Sequence, residues 1–327
     1  MKKTDFAGNK RVIEQLGYLI DSGRFPHALV IEGEQGMGKR TLARLLAAAL
    51  VCREDEKPCG ECSQCRKAIK GIHPDIFEHS AEGGANSFHV SVVRQVVSDA
   101  VVQPNEGEHK VYILGNADCM SVSAQNALLK VLEEPPAYVI FILTAQSKSA
   151  LLETVLSRSV VISLEGVSAQ EGAEYICRHK DGVEFQQAFS AVQNLNGNIG
   201  KAIDSLENGK ESEIIEVCCN MCRALVQDSE YALLNYCGVF QKERQSIVFA
   251  CSVLKNIFRD ALVSGDNTEL LSGQAETVKL LKNKLNQQKL VDLIGVCDTL
   301  KEMTNRNCNN SLLITEICCA LRSAAGR

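Results

Sequence analysis

Short apolar runs and helical periodicities alternate through the first half of the chain. The run Ala28–Glu32 predicts a first strand, because it is apolar and is followed at once by a glycine cluster. Four later runs predict further strands: Asp75–Glu78, Val111–Leu114, Val139–Thr144 and Val160–Ser163. Between the runs, apolar residues recur at helical spacing, most clearly over Thr41–Leu50 and Ser123–Glu133. Strands that alternate with helices predict an α/β fold with a parallel sheet covered on both faces.

The strand signal stops after about Leu164. Residues 166–208 predict short helices, and residues 209–327 predict helix throughout, with Ile247–Leu262 as a clear example. We therefore predict three domains: an α/β domain over residues 1–165, a small helical domain, and an all-helical C-terminal domain.

Composition and charge narrow the class of function. The chain has 327 residues and a net charge of −5, without a long basic run. A protein that binds DNA on its own usually carries a basic surplus, because it must neutralise phosphates. No stretch approaches the roughly 20 apolar residues that span a bilayer, and the first residues are polar and charged. These features predict a cytoplasmic protein with no membrane contact and disfavour a stand-alone DNA-binding protein.

A glycine-rich loop lies between the first predicted strand and the first clear helix. Gly33, Gly36 and Gly38 allow backbone N–H groups to curl around phosphate oxygens at a helix N-terminus. Lys39 stands where the lysine of a P-loop reaches the β- and γ-phosphates. The pattern therefore predicts a nucleotide-binding loop for ATP or ADP. The alternative is a glycine-rich turn without a ligand.

The groups that would hold Mg²⁺ are substituted. A P-loop places Ser or Thr directly after the lysine, but this chain has Arg40 there and Thr41 one residue later. One helical residue rotates a side chain by about 100°, which makes Thr41 a poor substitute. The strand that should end in a metal-binding carboxylate is followed by Gly115 and Asn116, and the nearest acid is Asp118. We predict that Mg²⁺-dependent hydrolysis is slow or absent, whereas retention of nucleotide stays open.

Four of the fifteen cysteines fall within fourteen residues, at Cys52, Cys59, Cys62 and Cys65. Four closely spaced thiolates suit a structural tetrahedral Zn²⁺ site. The alternatives are free thiols and an iron–sulfur cluster, although a ferredoxin run continues with a further cysteine and a proline that are missing here. His73 is a substitute ligand only if one cysteine does not bind. The eleven scattered cysteines predict small buried hydrophobic positions.

Several segments together resemble the clamp-loader branch of the AAA+ ATPases. They are the strand Lys110–Leu114, the helix and double proline Ser123–Pro136, the strand Phe141–Thr144 and the Leu-Ser-Arg-Ser sequence Leu156–Ser159. The resemblance covers residues 5–205 well. It implies an AAA+ P-loop sheet with a zinc module inserted at about residues 52–65, followed by a helical lid and a helical collar.

The resemblance also implies roles for individual residues. Thr144 matches the polar sensor residue at the end of a strand. Arg158 matches the arginine that projects from one subunit into the nucleotide site of its neighbour, although Ser159 replaces the usual cysteine. The alternative for Arg158 is an ordinary surface arginine. The family's motor subunits carry an arginine in the lid that senses the γ-phosphate, and Gly200 stands at that position here.

The function implied by the resemblance is that of a non-hydrolysing subunit of the bacterial DNA polymerase III clamp loader. Such a subunit is not an enzyme by itself but a component of a DNA-directed DNA polymerase holoenzyme. Its implied partners are the gamma/tau and delta subunits and, through the assembly, the sliding clamp and primer–template DNA. The first rival is an active ATPase of the gamma/tau type, and the second is a zinc-dependent nucleic-acid-binding protein.

Overall fold

The structure is a computed structural model of the chain, and it falls into two compact units, Met1–Val167 and Ser168–Arg327. It describes residues 6–81, 87–208, 210–241, 244–263, 270, 272–305 and 309–327. A division of the second half into a lid and a collar at residue 208 stays a prediction.

Five parallel strands form the sheet of the first unit. They are β1 (Ala28–Glu32), β2 (Ile76–Ser80), β3 (Lys110–Gly115), β4 (Val139–Ala145) and β5 (Val160–Ser163). Their spatial order is β2-β3-β4-β1-β5, which places the first strand of the chain between the last two. Each strand lies within two residues of a predicted run, so the predicted parallel α/β fold is confirmed.

Helices cover both faces of this sheet. They are α1 (Lys10–Asp21), α2 (Lys39–Val51), α3 (Ser63–Ile69), α4 (Val90–Asp99), α5 (Val122–Glu133) and α6 (Glu153–Leu156). Successive strand residues point to opposite faces. Leu29 and Ile31 therefore pack in the core that α1 and α2 cover, whereas Val30 and Phe141 pack in the core under α4 and α5.

The second unit is helical throughout its described residues. Its helices are α7 (Ala169–His179), α8 (Phe185–Asn194), α9 (Ile199–Asn208), α10 (Lys210–Val226), α11 (Glu230–Gly238), α12 (Arg244–Val263), α13 (Ala275–Lys284), α14 (Gln287–Asn305) and α15 (Asn310–Ala324). Within the described ranges, no helix combines the length and apolarity needed to cross a bilayer.

Seven of the scattered cysteines lie in the core of this second unit. They are Cys218, Cys219, Cys222, Cys237, Cys251, Cys297 and Cys318. Burial raises the pKa of Cys237 and Cys251 to about 12, so these thiols stay neutral and pack as small hydrophobic groups. The prediction fails for Cys319, which is exposed, and Cys308 lies outside the described residues.

Candidate functional site

The glycine-rich loop connects β1 to α2 at the carboxyl edge of the sheet. Gly36 and Gly38 have φ angles of +91° and +79°, which a residue with a Cβ rarely adopts. A Cβ on Gly38 would also lie 3.0 Å from the ring of Phe6. The backbone N–H of Gly33 donates to the carbonyl of Ala145, at 3.2 Å. The loop thus sits where open α/β sheets bind ligands.

Lys39 is buried across this loop. Its Nζ donates to the carbonyl oxygens of Gly33, at 2.6 Å, and Glu34, at 2.9 Å. Its side chain starts from the first residue of α2, as in a P-loop, so its ammonium group lies among the backbone groups that would surround a phosphate. A bound phosphate would take over some of these donors.

Arg40 is paired with a carboxylate on β2. Arg40 and Arg44 both donate to Glu78, with the Nε of Arg44 at 2.7 Å from its Oε2. Burial raises the pKa of Glu78, but the hydrogen bonds from Arg44 and Arg40 outweigh it and lower the pKa overall. The side chain that replaces the Mg²⁺-binding hydroxyl therefore belongs to an ion-pair cluster, and the neighbouring Thr41 is exposed.

The backbone and side chain that follow β3 make hydrogen bonds along the carboxyl edge of the sheet. Asn116 has a φ of +54°, its side-chain amide donates to the carbonyl of Ala81, and its backbone N–H donates to the Oγ1 of Thr144, at 3.1 Å. Thr144 is buried and lies beside Ile31 of β1, next to the loop. The sheet therefore places the predicted sensor residue beside the loop, with its hydroxyl already accepting one hydrogen bond.

Gly115 has no room for a side chain. A Cβ built on it would lie 3.2 Å from the Cβ of Ser80 on β2 and closer still to the serine Oγ. We expect Gly115→Asp to lower the free energy of unfolding by about 1–3 kcal/mol, because the added atoms overpack the strand pair. Urea denaturation measures this loss. Adding Ser80→Gly should recover part of it. A Gly115→Asp protein as stable as the parent would contradict the crowding.

Two carboxylates at this edge of the sheet hold loops. Asp118 accepts from the backbone N–H of Gln146 at 3.2 Å. Glu32, the last residue of β1, accepts from the backbone N–H of Lys148 and the hydroxyl of Ser163, both at 2.9 Å. The Lys148 hydrogen bond is the main cause of a lowered pKa at Glu32. Our sequence analysis did not assign a role to Glu32. Its position directly before the glycine loop was the one signal in the sequence that could have identified it.

Arg158 follows α6 and is bound to its own unit from two sides. Its Nη1 donates to the carbonyl of Thr154, at 2.9 Å, and to the Oγ of Ser157, at 3.2 Å. Its Nη2 donates to the Oε1 of Glu133, the last residue of α5, at 2.8 Å. The Arg158 side chain is 34% exposed. A role in a neighbouring subunit stays a prediction.

The four clustered cysteines come together in space. The Sγ atoms of Cys52, Cys59, Cys62 and Cys65 all lie within 4.8 Å of one another. Tetrahedral zinc with Zn–S bonds of about 2.3 Å would set the sulfurs roughly 3.8 Å apart. The Sγ atoms of Cys59 and Cys65 are 3.9 Å apart, so the donor set fits the ion.

Burial and hydrogen bonds act in opposite directions on the thiols of the cluster. Burial raises the pKa of Cys52 and Cys65, whereas backbone N–H groups of Cys62 and Glu61 lower the pKa of Cys59 to about 7. Several buried thiols side by side resist ionisation unless a positive charge offsets them. A divalent metal held by these four cysteines would supply that charge and favour their thiolate form.

His73 supports the four-cysteine module through hydrogen bonds. Its Nδ1 accepts from the backbone N–H of Asp75, at 3.0 Å, so its Nε2 donates to the Oε1 of Gln64 on α3, at 2.7 Å. Burial lowers the pKa of His73, which keeps it neutral. Asp75 in turn accepts backbone N–H groups from Glu106 and Gly107, both at 2.8 Å. His73 thus ties α3 to the start of β2, and the metal-donor group comprises the four cysteines.

The sequence is similar to known subunits of DNA polymerase III. Residues 8–168 match the family described as "DNA polymerase III, delta subunit". The chain is 32% identical over 210 residues to the DNA polymerase III gamma subunit of Buchnera aphidicola, covering 62% of this chain and 57% of that protein. It is 29% identical over 312 residues to the delta' subunit of Escherichia coli, covering 93% and 91%.

The chain spans only 26% to 57% of the length of the first gamma and tau relatives. Among solved structures, it is similar to a gamma subunit-related protein of Thermotoga maritima. That match has a TM-score of 0.47 and 17% identity, and it covers 96% of this chain and 99% of the other.

Proposed function

We propose that this chain, which is similar to the clamp-loader subunits of DNA polymerase III, is a non-hydrolysing subunit of the delta-prime type. One alignment in particular supports this choice, since it covers 93% of this chain and 91% of the delta' subunit of Escherichia coli. The subunit would work in the bacterial cytoplasm as a component of the DNA-directed DNA polymerase holoenzyme.

The proposal rests on a difference between two kinds of catalytic group. One kind would serve a nucleotide bound by this chain, and the other would serve a nucleotide bound by a neighbour. Arg40 is paired with Glu78, and Gly115 is packed against Ser80, so two positions that would bind Mg²⁺ serve the sheet instead. Arg158, the group that would serve a neighbour, is partly exposed at the surface of its unit. A subunit can lose its own metal site and still complete an adjacent one.

Without its metal ligands the subunit would not stabilise the charge that develops on a transferred phosphoryl group. Binding of ATP or ADP would persist without the metal ligands, because Gly33, Gly36, Gly38 and Lys39 would still surround the phosphates. Thr144 would lie beside the terminal phosphate. In this proposal bound nucleotide is a structural ligand.

Arg158 would act on ATP held by a neighbouring gamma/tau-type subunit. A guanidinium that approaches the γ-phosphate offsets negative charge in the transition state. The zinc module would stabilise the α/β domain. The helices of residues 166–208 would form the lid and those of 209–327 the collar, through which the subunit joins gamma/tau and delta. The assembly, rather than this chain alone, would open the sliding clamp and place it on primer–template DNA.

The isolated chain should show no Mg²⁺-dependent ATP hydrolysis above background. Release of phosphate is measured with the wild-type chain, with Lys39→Ala, and with an active gamma/tau subunit as the positive control. Turnover that Lys39→Ala abolishes would support the rival function, an ATPase of the gamma/tau type. Binding of duplex DNA by the isolated chain would favour the nucleic-acid-binding rival.

Restoring the missing groups should rescue hydrolysis weakly at best. The triple substitution Arg40→Thr, Gly115→Asp, Asn116→Glu returns the metal ligands, but Gly200 leaves the γ-phosphate sensor absent. The structure adds a second reason, since the new aspartate would crowd Ser80 and the new glutamate would stand at a positive φ.

A further inference from the structure

The ion pair between Glu133 and Arg158 stands at an unusual place on α5. Glu133 is the last residue of that helix, and Glu134 follows it. A negative charge at a helix C-terminus is unfavourable, because the unpaired carbonyl groups there already carry partial negative charge. A carboxylate placed against this local preference suggests a use beyond helix stability. The 2.8 Å hydrogen bond to Arg158 gives Glu133 that use.

The contacts of Arg158 leave part of its guanidinium available. A guanidinium has five N–H donors. Nη1 uses both of its own on Thr154 and Ser157, and Nη2 uses one on Glu133. In the part of the chain that the structure describes, the Nε–H and one Nη2–H of Arg158 have no acceptor. The chain therefore binds the guanidinium through three donors and leaves two for an external oxygen.

We propose that Glu133 is a positioning residue for Arg158. Its carboxylate binds one side of the guanidinium and the Thr154 carbonyl binds another, so the group is held in one orientation before a neighbour's phosphate arrives. Arginine loses much rotamer freedom when it is fixed. If the side chain is already fixed in the free subunit, less of its conformational entropy remains to be lost in the transition state. This inference rests on the proposed function of Arg158 in a neighbouring site.

The alternative to a positioning role is that Glu133 competes with phosphate for the guanidinium of Arg158. The donor count argues against it, because two N–H groups can bind a phosphate oxygen while the Glu133 contact persists. The pair is also partly solvated, with side chains 51% and 34% exposed, which weakens the neutralising effect of the carboxylate. Loss of Glu133 should therefore lower turnover rather than raise it.

The test compares variants in a reconstituted clamp loader, with clamp and primer–template DNA present. Glu133→Gln keeps the shape of the side chain and removes its charge. We expect kcat for ATP to fall about three- to fivefold, the size that a surface ion pair supports, with KM for ATP and assembly unchanged. Glu134→Gln is the matched control, because it removes an exposed carboxylate from the same helix end and should leave kcat unchanged.

A double-mutant comparison identifies the route of the effect. In the Arg158→Ala background, Glu133→Gln should not lower kcat further, since Glu133 acts only by positioning the Arg158 guanidinium. An equal loss in both backgrounds, a rise in kcat, or an unchanged kcat with Glu133→Gln would overturn the positioning role while the proposed function stands. An Arg158→Ala complex with wild-type turnover would overturn the proposed function itself.

Discussion

Replacing Arg158 with alanine in an assembled clamp loader should lower ATP turnover at the site it completes by a factor on the order of 10³, the lower end for arginine fingers. The defect should appear in kcat more than in KM, because the guanidinium acts on charge that develops only in the transition state. Assembly should persist, since Arg158 lies at the surface of its unit. Single-turnover hydrolysis in complexes with one active gamma/tau site next to this subunit measures the effect.

Two further variants define the chemistry of that arginine. Arg158→Lys should rescue poorly, because an ammonium lacks the planar fork that contacts two oxygens. Arg94→Ala removes an exposed arginine from α4 and should behave as wild type. If Arg158→Ala assembles and turns over ATP at the wild-type rate, the arginine has a structural role only.

The purified chain should carry about one zinc and no iron, and Cys62→Ser should abolish tight zinc binding. Structural zinc sites of this kind contribute on the order of 10 kcal/mol of binding free energy, which stabilises the fold locally. Cys62 is a useful position because its Sγ also accepts the backbone N–H of Cys65 at the start of α3. Serine preserves such a cap, so the loss reports on the metal.

Elemental analysis and competition with a chelator measure this loss, and circular dichroism should show that most helical signal remains. Cys319→Ser changes an exposed cysteine far along the sequence and should keep the zinc. A coloured protein that contains iron would contradict the assignment of zinc. Full zinc occupancy in Cys62→Ser would show that three cysteines suffice.

The three central strands of the sheet, β1, β3 and β4, were predictable because they are buried on both faces. A strand of this kind is apolar over most of its length, as in Val139–Leu143, and glycine or polar residues end it sharply. The cysteine cluster was predictable for a different reason: its ligands are close in sequence, so spacing alone limits their geometry.

The pairs that shape the candidate site were not predictable, because each joins distant parts of the chain. Arg40 was interpreted from the sequence only as a missing hydroxyl, and its partner Glu78 comes from a strand at the far edge of the sheet. Glu133 ends α5, and only the fold brings Arg158, 25 residues later, against it. Periodicity predicts which face of an element is buried but not which polar groups meet.

The order of the strands has a consequence for the synthesis of the protein. Ala28 pairs with Phe141, 113 residues later, so β1 has no neighbour when it first leaves the ribosome. At about 5–20 residues per second, it waits roughly 6 to 23 s for β4. The cysteine cluster closes locally and is complete by residue 65, well before that. The nascent chain would therefore bind its metal while its central apolar strand is still unpaired, and an unpaired apolar strand is prone to aggregation during that interval.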